Sequence, residues 1–386
     1  MTGNLRSATL RGVTDSPAPP PTTAPPERTG AIFLCFLAFG ARAFGGPVAQ
    51  IGELSSEFVE RRGWVTPERF RRALAVYQLL PGPEAHEMCC YLGAARGGWR
   101  GAIAAGLGFM LPGLALMLLA CALYAQFDLK DPAVAGAMAA MQVAASALIV
   151  RATWRLGAPM LKAHRALLAL LVASAALSAW WFAGAATVCP ASDGAAAPID
   201  APALFGHGLT AGLVTFGGAY TAIPYVTGVA SGAEGWMTRS EVLDGVAIAS
   251  VLPAPLVIFG TFVGWRGGGL VGALAFTAGI FLPAFAFTVF GFGTIERMLA
   301  WRPARTVLDA ASAVAIGVII GAAMHIVAAP LTAPALGLLA IPLFALLLGA
   351  IILWKARLAA PAAVIAAGLI GAVLGASGGA SGGAGA

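Results

Sequence analysis

Two copies of a pattern of helix breakers, each set between apolar runs, limit what this chain can fold into more than any other feature. The first copy opens with Phe44-Gly45-Gly46-Pro47, continues through Gly63-Trp64, and closes with Leu80-Pro81-Gly82-Pro83. Phe216-Gly217-Gly218, Gly235-Trp236 and Leu252-Pro253-Ala254-Pro255 repeat that order, with Phe44/Phe216, Gly63/Gly235 and Pro81/Pro253 each 172 positions apart. Gly101/Gly272 and Pro112/Pro283 hold the register at 171. Glycine and proline interrupt helices and free backbone polar groups. Hydrocarbon tolerates such groups only where they face protein, water or a ligand. Order and spacing kept over this length indicate a tandem structural repeat.

Hydrocarbon is the relevant solvent because 59% of the 386 residues are hydrophobic and only 10% charged, against roughly 25% charged in soluble domains. Apolar runs near 101–125, 133–150, 166–188, 268–293, 307–329, 333–354 and 359–375 are of the order of the ~20 residues that cross a bilayer core. The expected fold class is an all-α membrane protein: a polytopic helical bundle of two inverted-topology repeats with broken, re-entrant helices. The formal charge of +6 is divided among short clusters flanking the apolar runs, as topology signals are, which argues against a nucleic-acid partner. Cys35, Cys89, Cys90, Cys121 and Cys189 show no metal-ligand spacing and read as small buried hydrophobes. Neither a metal nor a cofactor is expected. No Gly-x-x-x-x-Gly-Lys-Ser/Thr signature occurs, so any driving force comes from an ion gradient, the membrane potential or another subunit.

Residues 1–30, with six prolines between Pro17 and Pro26, are expected to form a disordered cytoplasmic tail. Residues 31–188 make the first repeat, 189–202 an extracytoplasmic linker, 203–354 the second repeat, and 355–386 an additional C-terminal helix with a glycine-rich tail. Segments 73–80 and 84–95 are too short to cross the bilayer and read as half-helices. The charged stretch 47–72 reads as interfacial, with Phe58 and Trp64 among lipid headgroups. Equivalent loops differ in charge: 49–72 carries five basic residues and 221–244 only Arg239, whereas 293–305 carries Arg297, Arg302 and Arg305 and its counterpart only Lys130. The positive-inside rule then inverts one repeat relative to the other in the inner membrane, with a cytoplasmic N-terminus and Arg266 as the one basic residue on the opposite face.

A helix that starts at a break presents unpaired N–H groups and a partial positive charge, and two inverted copies aim such starts at one midplane site. The candidate substrate-binding residues are Phe44, Gly45, Gly46, Pro47, Gln78, Pro81, Gly82 and Pro83, with Thr215, Phe216, Gly217, Gly218, Pro253, Ala254 and Pro255. Gly46 and Gly218 are expected to share one anion, and Pro83 and Pro255 to occupy first helical positions. The alternative use of these residues is to kink and pack helices. Arg42, Glu84 and His86 are candidate coupling groups or charge partners. Arg42 either pairs with an acid such as Glu84 or meets substrate, and Glu84 either carries a proton or stabilises a helix start. His207 and His325 read as structural histidines.

Phe44-Gly45-Gly46-Pro47, Glu57-Phe58-Val59 before Gly63-Trp64, Gln78-Leu79-Leu80-Pro81-Gly82-Pro83-Glu84-Ala85, Thr215-Phe216-Gly217-Gly218, Gly235-Trp236-Met237-Thr238 and Gly279-Ile280-Phe281-Leu282-Pro283 resemble the chromate ion transporter family in its long, two-domain form. The resemblance covers about residues 31–375. It implies a secondary transporter rather than an enzyme, exporting chromate or a related tetrahedral oxyanion such as sulfate, and it leaves a homo-oligomer open. A passive anion channel, or a carrier of sulfate-like oxyanions in either direction, is the alternative. Ser250 and Ala254 depart from the family's Gln-x-Leu-Pro-Gly-Pro pattern, and Arg72 stands where the second repeat has the acid Asp244.

The charge asymmetry makes a topological prediction. Single cysteines at Ala191 and Ala329 are expected to react with an impermeant thiol reagent from outside, and those at Ala158 and Ala304 only after permeabilisation. Reaction of Ala158 and Ala329 from the same face would contradict inversion.

Overall fold

The computed structural model describes residues 27–382 except 79, 129, 159–164, 189–198, 216–220, 233–234, 301–309, a discontinuous set between 311 and 335, and 355–357. The tail up to residue 26, most of the 189–202 linker, much of the 307–329 run, His325, Phe216, Gly217 and Gly218 therefore lie outside the described residues. The described residues are helical, with no strand among them, and four helices are long and apolar enough to cross a membrane. The chain is a multi-pass all-α membrane protein.

The first repeat runs α1 (Thr29–Gly40), α2 (Gly46–Leu54), α3 (Pro67–Tyr77), α4 (Glu84–Tyr124), α5 (Pro132–Gly157) and α6 (Arg165–Val188). The second runs α7 (Ala201–Leu213), α8 (Ala222–Ala230), α9 (Arg239–Val251), α10 (Phe259–Ala300) and α11 (Ala340–Leu353), and α12 (Ala359–Gly382) ends the chain. Local chemistry sets the starts. Thr66 caps α3 by accepting from the Arg69 N–H, and its counterpart Thr238 caps α9 in a reciprocal box with Glu241. Asp131 and Asp200 cap α5 and α7, and prolines occupy the first turns of α2, α3, α5 and α7, where a missing N–H costs no helical bond.

α4 and α10 decide the architecture. A straight helix of 41 residues would be about 60 Å long, twice the bilayer core of about 30 Å. Instead Gly98 adopts φ 60°, ψ −153° and Gly269 φ 60°, ψ −148°, a region open essentially to glycine alone. At each point the chain doubles back. Gly93 lies against the backbone of Gly101, Gly106 against Cys90, and the His86 ring 6.3 Å from Phe109, so residues before and after Gly97-Gly98 pack antiparallel. In the second copy Gly264 lies against Gly272, and the Thr261 and Thr277 hydroxyls are 2.7 Å apart. Each long helix is thus a hairpin, whose first arm, near 20 Å for about 13 residues, is re-entrant in length and whose second arm is long enough to cross.

The repeat holds in atomic detail. Gly40 meets the Phe109 backbone as Gly212 meets Ile280, and Gly108 meets Phe33 and Leu37 as Gly279 meets Phe205 and Leu209. The Glu27 N–H donates to the Arg96 carbonyl as the Ile199 N–H donates to the Gly267 carbonyl. Small residues let α1 press against α4 and α7 against α10, as membrane helices require. Outside these hairpins, α5 packs on α9, α11 and α12.

Phe58 and Trp64 correct the interfacial expectation. Both are buried, Phe58 stacked on Phe36 at 4.5 Å and Trp64 4.9 Å from Phe58. Residues Ser55–Arg61 form a π-helix. The aromatic rings turn inward while Glu60, Arg61 and Arg62 stay exposed.

Candidate functional site

The four breaks pair crosswise between the repeats. At one junction Gly45 (φ 97°) and Gly46 (φ 79°) turn the chain into α2, in a left-handed conformation that side chains resist. The buried Gln50, one turn into α2, uses its amide nitrogen to donate both to the Ala43 carbonyl at 2.9 Å and to the Ala254 carbonyl at 2.8 Å. The Phe-Gly-Gly-Pro break of the first repeat is thereby tied to the Pro-Ala-Pro break of the second. At the other junction the Gly82 N–H donates to the Thr215 carbonyl at 2.8 Å, tying the Pro-Gly-Pro break of the first repeat to the residue that enters Phe216-Gly217-Gly218. Ala43 and Thr215 are repeat equivalents, as are Gly82 and Ala254.

Each break also packs on the other repeat's long hairpin. Ala254 lies against Gly113, and a β-carbon on Gly82 would meet that of Ala284 at 3.3 Å. Gly113 and Ala284 follow the equivalent prolines Pro112 and Pro283. The departure of Ala254 from glycine is therefore compensated: its methyl group fills space that Gly113 leaves, as Ala284 fills space left by Gly82.

The first junction opens into a cavity of about 60 Å³ lined by Gly45, Gly46, Pro47, Arg151, Ser250 and Ala254, among others; one water needs only about 15 Å³ of such space. Four residues expected in the site, Gly45, Gly46, Pro47 and Ala254, thus come together. Arg151 is the addition. It reads as a loop charge in the sequence, but α5 runs on to Gly157 and carries it along the cavity wall. Buried Asp244 accepts 2.7 Å hydrogen bonds from the Tyr124 hydroxyl and the Gln142 amide, which fixes α9 and α5, the two helices that carry Ser250 and Arg151. The helix N-terminus, the permissive glycines and the guanidinium all favour a small anion there.

The second junction has the opposite character. Gln78 hydrogen-bonds the buried Glu84 carboxyl; the equivalent positions in the first junction are Ser250 and Leu256, both cavity-lining. Pro83 and Pro255 each sit one residue before the helix rather than at its first position. His86 is fully buried, its ring 4.7 Å from Phe285 and 4.9 Å from Phe281, with Nδ1 near the Cys90 thiol, so it is packed among aromatic rings. Arg42 pairs with Glu57 at 3.5 Å and is 54% exposed, so of its two expected uses it pairs with an acid, Glu57 in place of Glu84. The end of α1 at Gly40 lets the chain turn outward there. Glu57 also binds Arg61 and Arg62, and its carboxyl is held below the ordinary value, chiefly by the Arg62 hydrogen bond.

With this geometry, comparison with known proteins is decisive. A family profile described as Chromate transporter matches the chain twice, over residues 30–193 and 202–372. The chain belongs to the chromate transporter family. A chromate transport protein of Pseudomonas aeruginosa is 39% identical over 95% of this chain and 96% of its own length. A chromate transport protein of Cupriavidus metallidurans is 29% identical over 92% and 98%, and a probable chromate transport protein of Synechococcus elongatus 29% identical over 66% and 73%. No solved structure matches the chain significantly. The profile matches this transporter twice in tandem, and its second match runs beyond residue 354 into α12.

The crossed packing predicts a compensating pair. Gly113→Ala would drive a methyl group into Ala254 and is expected to cost about 1–3 kcal/mol, the usual penalty for overpacking, read as a lower unfolding midpoint in detergent. Ala254→Gly in the same chain should restore most of the loss. Additive effects of the two substitutions would contradict direct packing of the breaks.

Proposed function

We propose that this protein is a secondary active transporter that exports chromate, or a related tetrahedral oxyanion, across the cytoplasmic membrane by alternating access between two inverted repeats. One observation carries the reading: breaks from both repeats close on a small cavity that offers glycine backbone, a helix start and Arg151. Membership of the chromate transporter family supports movement of chromate across a membrane. The cavity suits a dianion because its fixed positive groups replace hydration, and because its walls belong to both repeats, so a relative motion of the repeats opens it to one face or the other.

Charge distribution supports inversion. At the first hairpin's turn buried Arg96 is salt-bridged to Glu27, and Arg100 is the basic residue exposed at the surface there. At the equivalent turn Arg266 is paired with Glu241, so the basic residue on the opposite face is neutralised and carries little topological weight.

Gly46→Ala adds a methyl group at a positive φ, and Arg151→Gln removes the cation. Losing a hydrogen bond to a charged group costs about 1.5–3 kcal/mol, so each variant is expected to bind chromate roughly 10- to 150-fold more weakly. Calorimetric affinity and folded yield should be measured on both. Wild-type affinity in folded Arg151→Gln would remove the cavity from the transport path, whereas a low yield of Gly46→Ala with normal affinity would make that glycine purely architectural.

A further inference from the structure

The second junction holds a group that the anion site does not use. Glu87 lies one helical turn beyond Glu84 and is fully buried, with both carboxyl oxygens lacking a hydrogen-bond partner among the described residues; one oxygen of Glu84 is likewise unpartnered. The side chain is aimed at the break itself, for Oε1 of Glu87 comes within 2.6 Å of where a β-carbon on Gly82 would stand. Gly82, held at φ +154°, is the residue whose N–H binds Thr215 of the other repeat.

Among the described residues, no cation is seen to act on this carboxyl. The titratable groups that act on Glu87 or feel it are Glu84 on the same arm of α4, Cys90 one turn further on, and Tyr77 from α3, whose hydroxyl lies 3.2 Å from the Thr288 hydroxyl of α10. Ala284 of α10 borders Gly82 beside the carboxyl, and Thr215 comes from the end of α7. His86, on the neighbouring face, is packed among Phe109, Phe281 and Phe285. No cluster of three metal-ligating side chains occurs among the described residues. An uncompensated carboxylate in this setting is expensive, and a proton neutralises it without rearranging any neighbour.

We propose that Glu87, with Glu84 beside it, is the proton-coupling site of the transporter, set at the Gly82–Thr215 junction and separate from the anion cavity at the Gly46–Ala254 junction. This rests on the transport reading above. Loading the carboxyl with a proton lets it stay against Gly82 in the buried junction. Losing the proton drives it towards water, and the Gly82 contact with Thr215 is the joint through which that change reaches the second repeat. The acidic positions of this junction have no acidic counterpart in the cavity, where Leu256 replaces Glu84 and the positions aligned with Glu87 are Ile258 and Phe259. One junction binds the anion and its twin binds the proton.

The test uses the full chain in liposomes, with chromate as the probe. Wild-type protein should catalyse chromate counterflow without a gradient and chromate accumulation driven by an imposed pH gradient. Glu87→Gln should continue counterflow, while its accumulation falls to the level of wild-type liposomes with the gradient collapsed. Pronounced accumulation by Glu87→Gln under the same gradient would overturn the proposal, as would accumulation that follows a sodium gradient instead. Absence of chromate counterflow in the wild type would instead reject the transport reading. Should Glu87→Gln not fold, dicyclohexylcarbodiimide, which reacts with protonated buried carboxyls, should label the wild-type peptide at Glu84 or Glu87, less so as pH rises. No label at any pH would overturn the assignment.

Discussion

A backbone group freed at a helix break inside a bilayer must find a partner, since water is absent and an unmet group costs several kcal/mol. Here each break finds its partner in the opposite repeat: Ala254 through Gln50, and Thr215 through Gly82. Neither repeat could bury its own breaks alone. The rest of the architecture serves this exchange, because the hairpins reversing at Gly98 and Gly269 bring Gly113 and Ala284 against the partner's break. Small residues at those crossings are a packing requirement before they are anything else.

Duplication explains the geometry, and divergence explains the chemistry. Two junctions of one design have come to differ at a few positions. Where the first repeat has Gln78 and Glu84, the second has Ser250 and Leu256, so the carboxyl is present at one junction and absent at the other. Arg151 stands only at the cavity that lacks the acid. A dianion and a buried carboxyl repel at close range, and assigning them to separate junctions lets one joint respond to both without placing like charges in a single pocket.

Much of this was legible in the sequence, for physical reasons that also mark where legibility stops. Glycine and proline announce breaks wherever they stand, so the repeat, its register and Gly45, Gly46, Pro47 and Ala254 could be read directly. Gly98 and Gly269 could have been recognised as the hairpin turns, since a Gly-Gly pair recurs 14 residues after Pro83 and 13 after Pro255. The compensation between Ala254 and Gly113 could not, because it depends on a contact across 141 positions of sequence. Phe58 and Trp64 read as interfacial from the charges around them, whereas their burial depends on contacts with Phe36 of α1 that no local pattern shows. Arg151 lies just past the apolar run 133–150, and only the continuation of α5 to Gly157 brings it to the cavity wall. Arg42 finds Glu57 as its acid because the chain turns outward after Gly40, which no local pattern shows.

The central claim is that the oxyanion binds where the Phe-Gly-Gly-Pro break of the first repeat meets the Pro-Ala-Pro break of the second. Crystals of the full chain grown with chromate, with diffraction recorded on either side of the chromium absorption edge, test it without an activity assay. The account predicts an anomalous peak bounded by Gly45, Gly46, Arg151 and Ser250. A peak beside Glu84 and Glu87 instead, or none in the cavity at saturating chromate, would contradict it.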